Sequence, residues 1–319
     1  MWFHISVQGN GGQSLFLRNR DILHAIDLLG VFSKLHNVGV LAYQFLSNHL
    51  HLILECLCPI NFVWGFRISY SKYYNSVYNS FGAIGRSRYS QGKIYDEEKL
   101  EEKLIYVIRN STKHKVCEHP LADRFNSAQY YFMEEQSKTI AGNLKPAGTK
   151  CELNHSCQYI PEDYLIDSDG HIYPRSFLQY KSVEKLFKSY GEFMQKISTP
   201  TPKEIEDNSK IKQIPGIVKV NDMVLSEMIL DKIKPKTLIS LSDSEKMLLS
   251  VHFKKEYPIS VRQLSRVFSI PESTLRRRIS EILHQNTLID KLITCITALC
   301  IYTKEKMAQN LGDSAPLAP

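Results

Sequence analysis

Two histidines one residue apart, His49 and His51, stand in the run Ser47-Asn48-His49-Leu50-His51-Leu52-Ile53-Leu54. In an extended strand alternate side chains share a face. The two imidazoles then lie side by side, about 7 Å apart at Cα, while Leu50, Leu52 and Leu54 point the other way into a core. Two imidazoles on one face chelate a divalent ion when a neighbouring element supplies a third donor. The alternative is a histidine pair on a solvated sheet face. Further on, Tyr106 and Asn110 stand four apart in Lys103-Leu104-Ile105-Tyr106-Val107-Ile108-Arg109-Asn110, a helical spacing that places a phenol and an amide on one face. A phenolate is a nucleophile and an amide oxygen is a metal donor. The alternative is a tyrosine that packs. Spacing alone leaves both pairs open.

The elements that must position these residues are legible around them. Phe3 to Gln8 reads as a strand, with a turn at Gly9-Asn10-Gly11-Gly12. Arg20 to His36 has helical apolar spacing, weakened a little by Gly30. Val38 to Leu46 and His49 to Glu55 are strands, Asn61 to Tyr78 a helix, Arg88 to Tyr95 a fourth strand and Asp96 to Asn110 a helix. The order βαββαβα implies an α+β fold, an antiparallel-rich sheet with helices on a face. Beyond it, Thr139 to Lys150 reads as a polar linker, Ser182 to Ile197 as one amphipathic helix, Ser198 to Ile214 as an exposed connector and Asp222 to Ile233 as a helix.

The chain has 319 residues, enough for roughly two domains. Hydrophobic residues at 43% and charged residues at 23% exclude a wholly disordered or fibrous chain. Forty Lys and Arg against 33 Asp and Glu leave a net charge of +7, which permits a polyanion as partner. The longest apolar run, Leu288 to Tyr302, is interrupted by Asp290 and Lys291, so no membrane span is expected, and no signal peptide is read. Seven cysteines at irregular spacing argue against a disulfide framework and for a cytoplasmic setting. Cys151, His155, Cys157 and His171 match no paired zinc spacing. Asp167-Ser168-Asp169-Gly170 lacks the distal Glu of a calcium loop and reads as a turn.

Taken together, the Asn48-His49-Leu50-His51 strand and the later Tyr106-x-x-x-Asn110 helix resemble the single-tyrosine HUH transposases, and most closely the branch of REP-associated tyrosine transposases. The resemblance begins at Phe3-His4-Ile5-Ser6-Val7-Gln8-Gly9-Asn10, resumes at Gly92-Lys93-Ile94-Tyr95-Asp96, and fades after His119-Pro120. The chain departs from it at Ser47, where the family favours Pro, and after Asn110. There Ser111-Thr112-Lys113-His114-Lys115 replaces the family's Pro-Val-Lys/Arg-Ala-Gly. The resemblance implies a ferredoxin-like, RRM-like antiparallel sheet with helices on one face, the HUH fold. It implies cleavage of single-stranded hairpin or palindromic DNA by Tyr106 through a 5′-phosphotyrosine intermediate. It implies a divalent ion, Mg²⁺ or Mn²⁺, held by His49, His51 and Asn110, and a monomer or homodimer with the tyrosine acting in cis or in trans. The rivals are a DNA-binding regulator on a decayed nuclease fold and a relaxase or replication initiator.

Basic residues supply the expected DNA contacts. Arg67, Lys72, Arg86, Arg88 and Lys93 interleave with Tyr70, Tyr73, Tyr74, Tyr89 and Tyr95, a mixture that either stacks unpaired bases and meets phosphates or packs a core under a solvated basic face. From Lys254 to Arg278 there are seven basic residues against two acidic ones. Ser260 to Phe268 and Glu272 to His284 read as two helices broken at Ser269-Ile270-Pro271, either a helix-turn-helix or an ordinary hairpin with a charged face. In the former, Arg262, Arg266, Thr274, Arg276 and Arg277 lie where double-stranded DNA would be met. The expected organisation is a nuclease domain over 1–135, a linker and helical middle region over 136–242, a helix-turn-helix domain over 243–303 and a flexible tail over 304–319. A cytoplasmic, nucleoid-associated protein follows.

Overall fold

The computed structural model describes residues 1–85, 88–136, 144–148, 159–200 and 220–283. Arg86, the group Cys151, His155 and Cys157, and the expected tail over 304–319 lie outside these residues. The chain divides into two compact units, the first made of Met1–Val77 and Phe81–Pro215, the second of Tyr78–Ser80 and Gly216–Pro319.

In the first unit, β1 (Trp2–Gln8), β2 (Gly39–Leu46), β3 (His49–Glu55) and β4 (Ser90–Ile94) form one antiparallel sheet in the order β2-β3-β1-β4. The register sets Ser6 and Gln44 opposite His51, and Gln8 opposite His49. Opposed residues share a face, so His4, Ser6, Gln8, Gln44, His49 and His51 all lie on one side of the sheet. Phe3, Ile5, Val7, Leu50, Leu52 and Leu54 alternate to the other side and are buried.

Helices α1 (Asn19–Leu35) and α2 (Ile60–Tyr78) belong to that apolar side. Phe16, just ahead of α1, meets Phe45 edge-on at 5.6 Å and Tyr70 of α2 at 5.1 Å between ring centroids. The Asp21 carboxylate starts α1 by accepting the Leu17 and Arg18 amides, each at 2.8 Å, and also the Tyr73 hydroxyl. Two helical glycines allow close approach. A Cβ at Gly30 would sit 2.8 Å from Phe177, and one at Gly65 would sit 2.5 Å from Phe32. Each position accepts about 1 kcal/mol of lost helix propensity in return for that contact.

Helix α3 (Glu97–Ile108) lies across the histidine side. Asp96 caps it by accepting the Lys99 amide at 2.7 Å, and Glu97 and Glu98 complement the dipole of its first turn. Leu100, Leu104, Val107 and Ile108 bury against Ala42, Ile53 and Ile94. The helix stops where the Asn126 side-chain amide donates to the Ile108 carbonyl at 2.6 Å. A single further turn, α4 (Asn110–Lys113), follows. Lys115 then takes φ +58°, the left-handed conformation that glycine adopts most readily.

Residues 159–198 pack within the same unit. Leu178 bridges to Val40 of β2. Strands β5 (Lys145–Pro146) and β6 (Leu165–Ile166) make a two-residue pairing. The single helix expected over Ser182 to Ile197 is corrected to two, α5 (Tyr180–Glu184) and α6 (Tyr190–Ser198). The break arises because Ser189 caps α6 by accepting the Glu192 amide, while Phe187 in the gap turns into the core beneath α3 with Phe193 and Ile197. Asp167 accepts the Asp169 and His171 amides around Gly170, the expected turn.

The second unit contains α7 (Asp222–Ile233), α8 (Asp243–Glu256), α9 (Val261–Phe268) and α10 (Glu272–Leu283). Ser242 and Ser260 form capping boxes with Glu245 and Gln263. Ser269 closes α9 at φ +56°, and α10 starts directly after Pro271. Leu264, Val267, Leu275 and Ile279 are buried, joined by Phe253, Ile259 and Phe268. The fold is thus α+β with a helix-turn-helix region at its C-terminal end. Among the described residues no helix is long and apolar enough to cross a membrane.

Candidate active site

His49 and His51 do share a face, with ring centroids 5.1 Å apart and planes at 86°. Each ring is held at Nδ1. The Asn48 Oδ1 lies 2.8 Å from His49 Nδ1, and the Asn48 amide nitrogen is directed to the Gly12 carbonyl at 3.4 Å, which fixes the amide's orientation. An amide oxygen only accepts, so His49 Nδ1 carries a proton, and in the neutral ring Nε2 holds the lone pair. His51 Nδ1 lies 3.0 Å from His4 Nε2, across from β1. Burial, reinforced by His49, His4, His114 and Lys113, pushes the His51 pKa down to about 2, and burial with Lys103 nearby pushes His4 down to about 4. Both rings are neutral at pH 7, the form in which imidazole binds a metal.

Tyr106 stands edge-on to both rings, 5.7 Å from His51 and 5.8 Å from His4 between centroids. The Lys113 and Lys103 ammonium groups lie 5.3 and 5.6 Å from the centre of its ring. Tyr106 is 38% exposed, whereas Asn110 is enclosed at 1%. The turn at Arg109 between α3 and α4 gives the two residues different surroundings despite their spacing of four. Both amide atoms of Asn110 are buried without a hydrogen-bond partner. Leaving such a group unsatisfied costs about 1–3 kcal/mol. Among the described residues no three His, Cys, Asp or Glu side chains converge to hold a metal ion. An amide oxygen is one donor type that would complete a pair of imidazoles, and the Asn110 oxygen is orphaned. Two neutral imidazoles and an amide oxygen fit Mn²⁺ well and Mg²⁺ less well, because Mg²⁺ favours all-oxygen sets.

The basic residues fall into three groups. Lys72, Arg88 and Lys93 are exposed, and Lys93 lies over the exposed Tyr95 ring at 5.5 Å. Arg67 is half-buried, and burial lowers its pKa. Tyr70 and Tyr73 belong to the core, their hydroxyls donating to the Leu15 carbonyl and Asp21. In the second unit Arg266 turns inward and donates from Nε and Nη2 to the two carboxylate oxygens of Asp222 on α7, each at 2.8 Å. Arg262 and Arg276 both reach Glu272, at 3.2 and 2.7 Å. Arg277 is exposed and lies 3.9 Å from Glu281, and Thr274 is half-buried at the start of α10.

Sequence reasoning passed over His4, Asn48, Lys103, Lys113 and His114 as site residues. His114 meets His49 at 5.0 Å between ring centroids. The one signal for His4 was its place on the polar side of an alternating strand; its encounter with His51 depends on a pairing register that the sequence does not display.

Residues 255–286, which include α9 and α10, match the family of helix-turn-helix Psq domains. No curated protein sequence matches the chain. Among solved structures, the chain is similar to one described as a REP-associated tyrosine transposase bound to a REP hairpin, at 15% identity, covering 44% of this chain and 85% of that one, with a TM-score of 0.36.

Proposed function

We propose that the first unit is a metal-dependent single-stranded DNA nicking and strand-transfer enzyme, a transposase of the HUH single-tyrosine kind and its REP-associated branch, acting on hairpin or palindromic DNA. The second unit would add DNA contacts through its helix-turn-helix. The observation that supports this reading is the meeting of a half-exposed phenol with the His51 imidazole of β3 and its neighbour His4 under two ammonium groups. A packing tyrosine would have no use for that company.

The phenol of Tyr106, after losing its proton to solvent, attacks a backbone phosphorus. The Oη–P bond forms, the P–O3′ bond breaks, the departing 3′-oxygen takes up a proton, and the 5′-phosphate stays on the tyrosine. Attack by another 3′-hydroxyl reverses the step and joins strands without an external energy source. A divalent ion held by His49, His51 and Asn110 would neutralise charge developing on the phosphate oxygens. Lys103 and Lys113, over the Tyr106 ring, would draw the phosphate to it.

Labelled single-stranded hairpins with Mn²⁺ or Mg²⁺ provide the test. We expect a denaturation-resistant adduct that Tyr106→Phe abolishes and His49→Ala slows by roughly 10²–10³-fold. An adduct that persists in Tyr106→Phe would refute the choice of nucleophile. Tight binding without any adduct across a broad hairpin set would leave a DNA-binding regulator instead.

A further inference from the structure

The two site histidines need the same thing from their surroundings. Each must present an unprotonated Nε2, so each must keep its proton on Nδ1 and have that proton accepted. For His49 the acceptor is Asn48, next to it in the chain. For His51 the atom at Nδ1 is the Nε2 of His4, at 3.0 Å. The two ring centroids are 5.2 Å apart with planes at 15°. At that separation, with the nitrogens 3.0 Å apart, the nitrogens lie between the centroids. The rings therefore meet end to end in nearly one plane, the alignment of an N–H···N hydrogen bond and not of a face-to-face stack. His51 is buried at 7% exposure, so water competes poorly for its Nδ1.

We infer that His4 is a positioning residue: its Nε2 accepts the His51 Nδ1 proton, holding His51 as the Nδ1–H tautomer and aiming its Nε2 at the divalent ion. This inference rests on the metal-dependent reading above. The reverse assignment, with His4 as donor, would place the His51 proton on Nε2 and disable it as a ligand. His4 lies opposite Gly92 of the edge strand β4, and its ring meets His51 and, edge-on, Tyr106.

Two measurements on the full chain test it, with wild type, His4→Leu and His4→Gln. Long-range ¹H–¹⁵N spectra of the metal-free protein report the His51 tautomer directly. We expect Nδ1–H in wild type, a shift toward Nε2–H in His4→Leu, and retention of Nδ1–H in His4→Gln, whose amide oxygen accepts. Calorimetric titration with Mn²⁺ should show about 10–100-fold weaker binding in His4→Leu and substantial rescue in His4→Gln. Far-ultraviolet dichroism confirms that each variant is folded, and the Gln variant serves if the Leu variant is not. An Nε2–H tautomer in wild type, or equal Mn²⁺ affinity in a folded His4→Leu, overturns the inference. If wild type itself takes up no Mn²⁺, the metal-dependent reading fails, and the tautomer spectra still decide the role of His4 in the pair.

Discussion

Asn110 is the residue at which stability and function pull apart most visibly. A buried amide with neither atom satisfied is a debit to the fold. A ligand role accounts for tolerating it, since the oxygen then finds its partner in the ion. Replacing Asn110 with the similarly sized Leu should thus raise the stability of the metal-free protein, by about 1–3 kcal/mol if the fold takes the side chain without strain. It should also weaken Mn²⁺ binding and adduct formation. Urea unfolding with chelator present, set beside calorimetry with Mn²⁺, reads the two effects separately. A strong destabilisation by Leu together with unchanged Mn²⁺ affinity would remove Asn110 from the ligand set. Lys103 and Lys113 act differently, because they lie over the Tyr106 ring.

At the scale of elements, the basic helices of the second unit separate into residues that hold the unit together and residues that face outward. Arg266 on α9 makes a bidentate pair with Asp222 on α7 and is mostly enclosed, at 19% side-chain exposure. Arg277 on α10 is 71% exposed and sits at a long 3.9 Å from Glu281. The sequence presents both as basic residues of one helical pair; only the packing of α7, more than thirty residues upstream, distinguishes them. Arg266→Ala should therefore lower the urea midpoint, with an unfolding free energy about 1.5–3 kcal/mol smaller for lost charged hydrogen bonds, and with little change in the salt dependence of DNA binding. Arg277→Ala should leave the midpoint in place and reduce the slope of log K against log salt by about one. Binding isotherms at a series of salt concentrations, alongside denaturation of each variant, check both halves. A reduced slope in a still-folded Arg266→Ala would show that this side chain reaches phosphate after all.

On the scale of the whole molecule, what the sequence reveals is what repeats locally. Strand alternation and helical spacing locate β1 to β4 and α1 to α3 within a few residues, because the periods are written in consecutive positions. They also put His49 and His51 on one face. The partners of that pair are less legible: His4 reaches His51 through sheet register, and His114 and Lys113 arrive by a turn after α3. Residues 159–198 were the least legible, since nothing in their own spacing says which helix they cover. Asp27 illustrates the gap. It reads as one acidic residue in an amphipathic helix, yet it is buried at 1% exposure and bonded to His171 Nδ1 at 2.7 Å and to the Ile172 amide at 2.7 Å. This contact carries a pH signature. The bond to Asp27 holds the His171 pKa above its ordinary value, and burial pushes Asp27 up against the pull of that same bond. Both groups keep their protons to higher pH in the folded chain than in the unfolded one. The folded state then binds more protons, and stability falls as pH rises. The share due to His171 is complete below about pH 6.5 and is lost as pH climbs through its raised value. His4 and His51, with lowered pKa values, act in the opposite sense, so the readout is the difference between two proteins and not one absolute slope. Urea midpoints measured from pH 6 to 9 should fall more steeply in wild type than in His171→Gln, the two curves converging at the alkaline end. Parallel curves would mean that the pair contributes nothing to the folded chain's proton balance and that other contacts, among them Ile172 and Phe177 at Gly30, Lys34 with Asp163 and Ser33 with Tyr164, anchor residues 159–178 to α1.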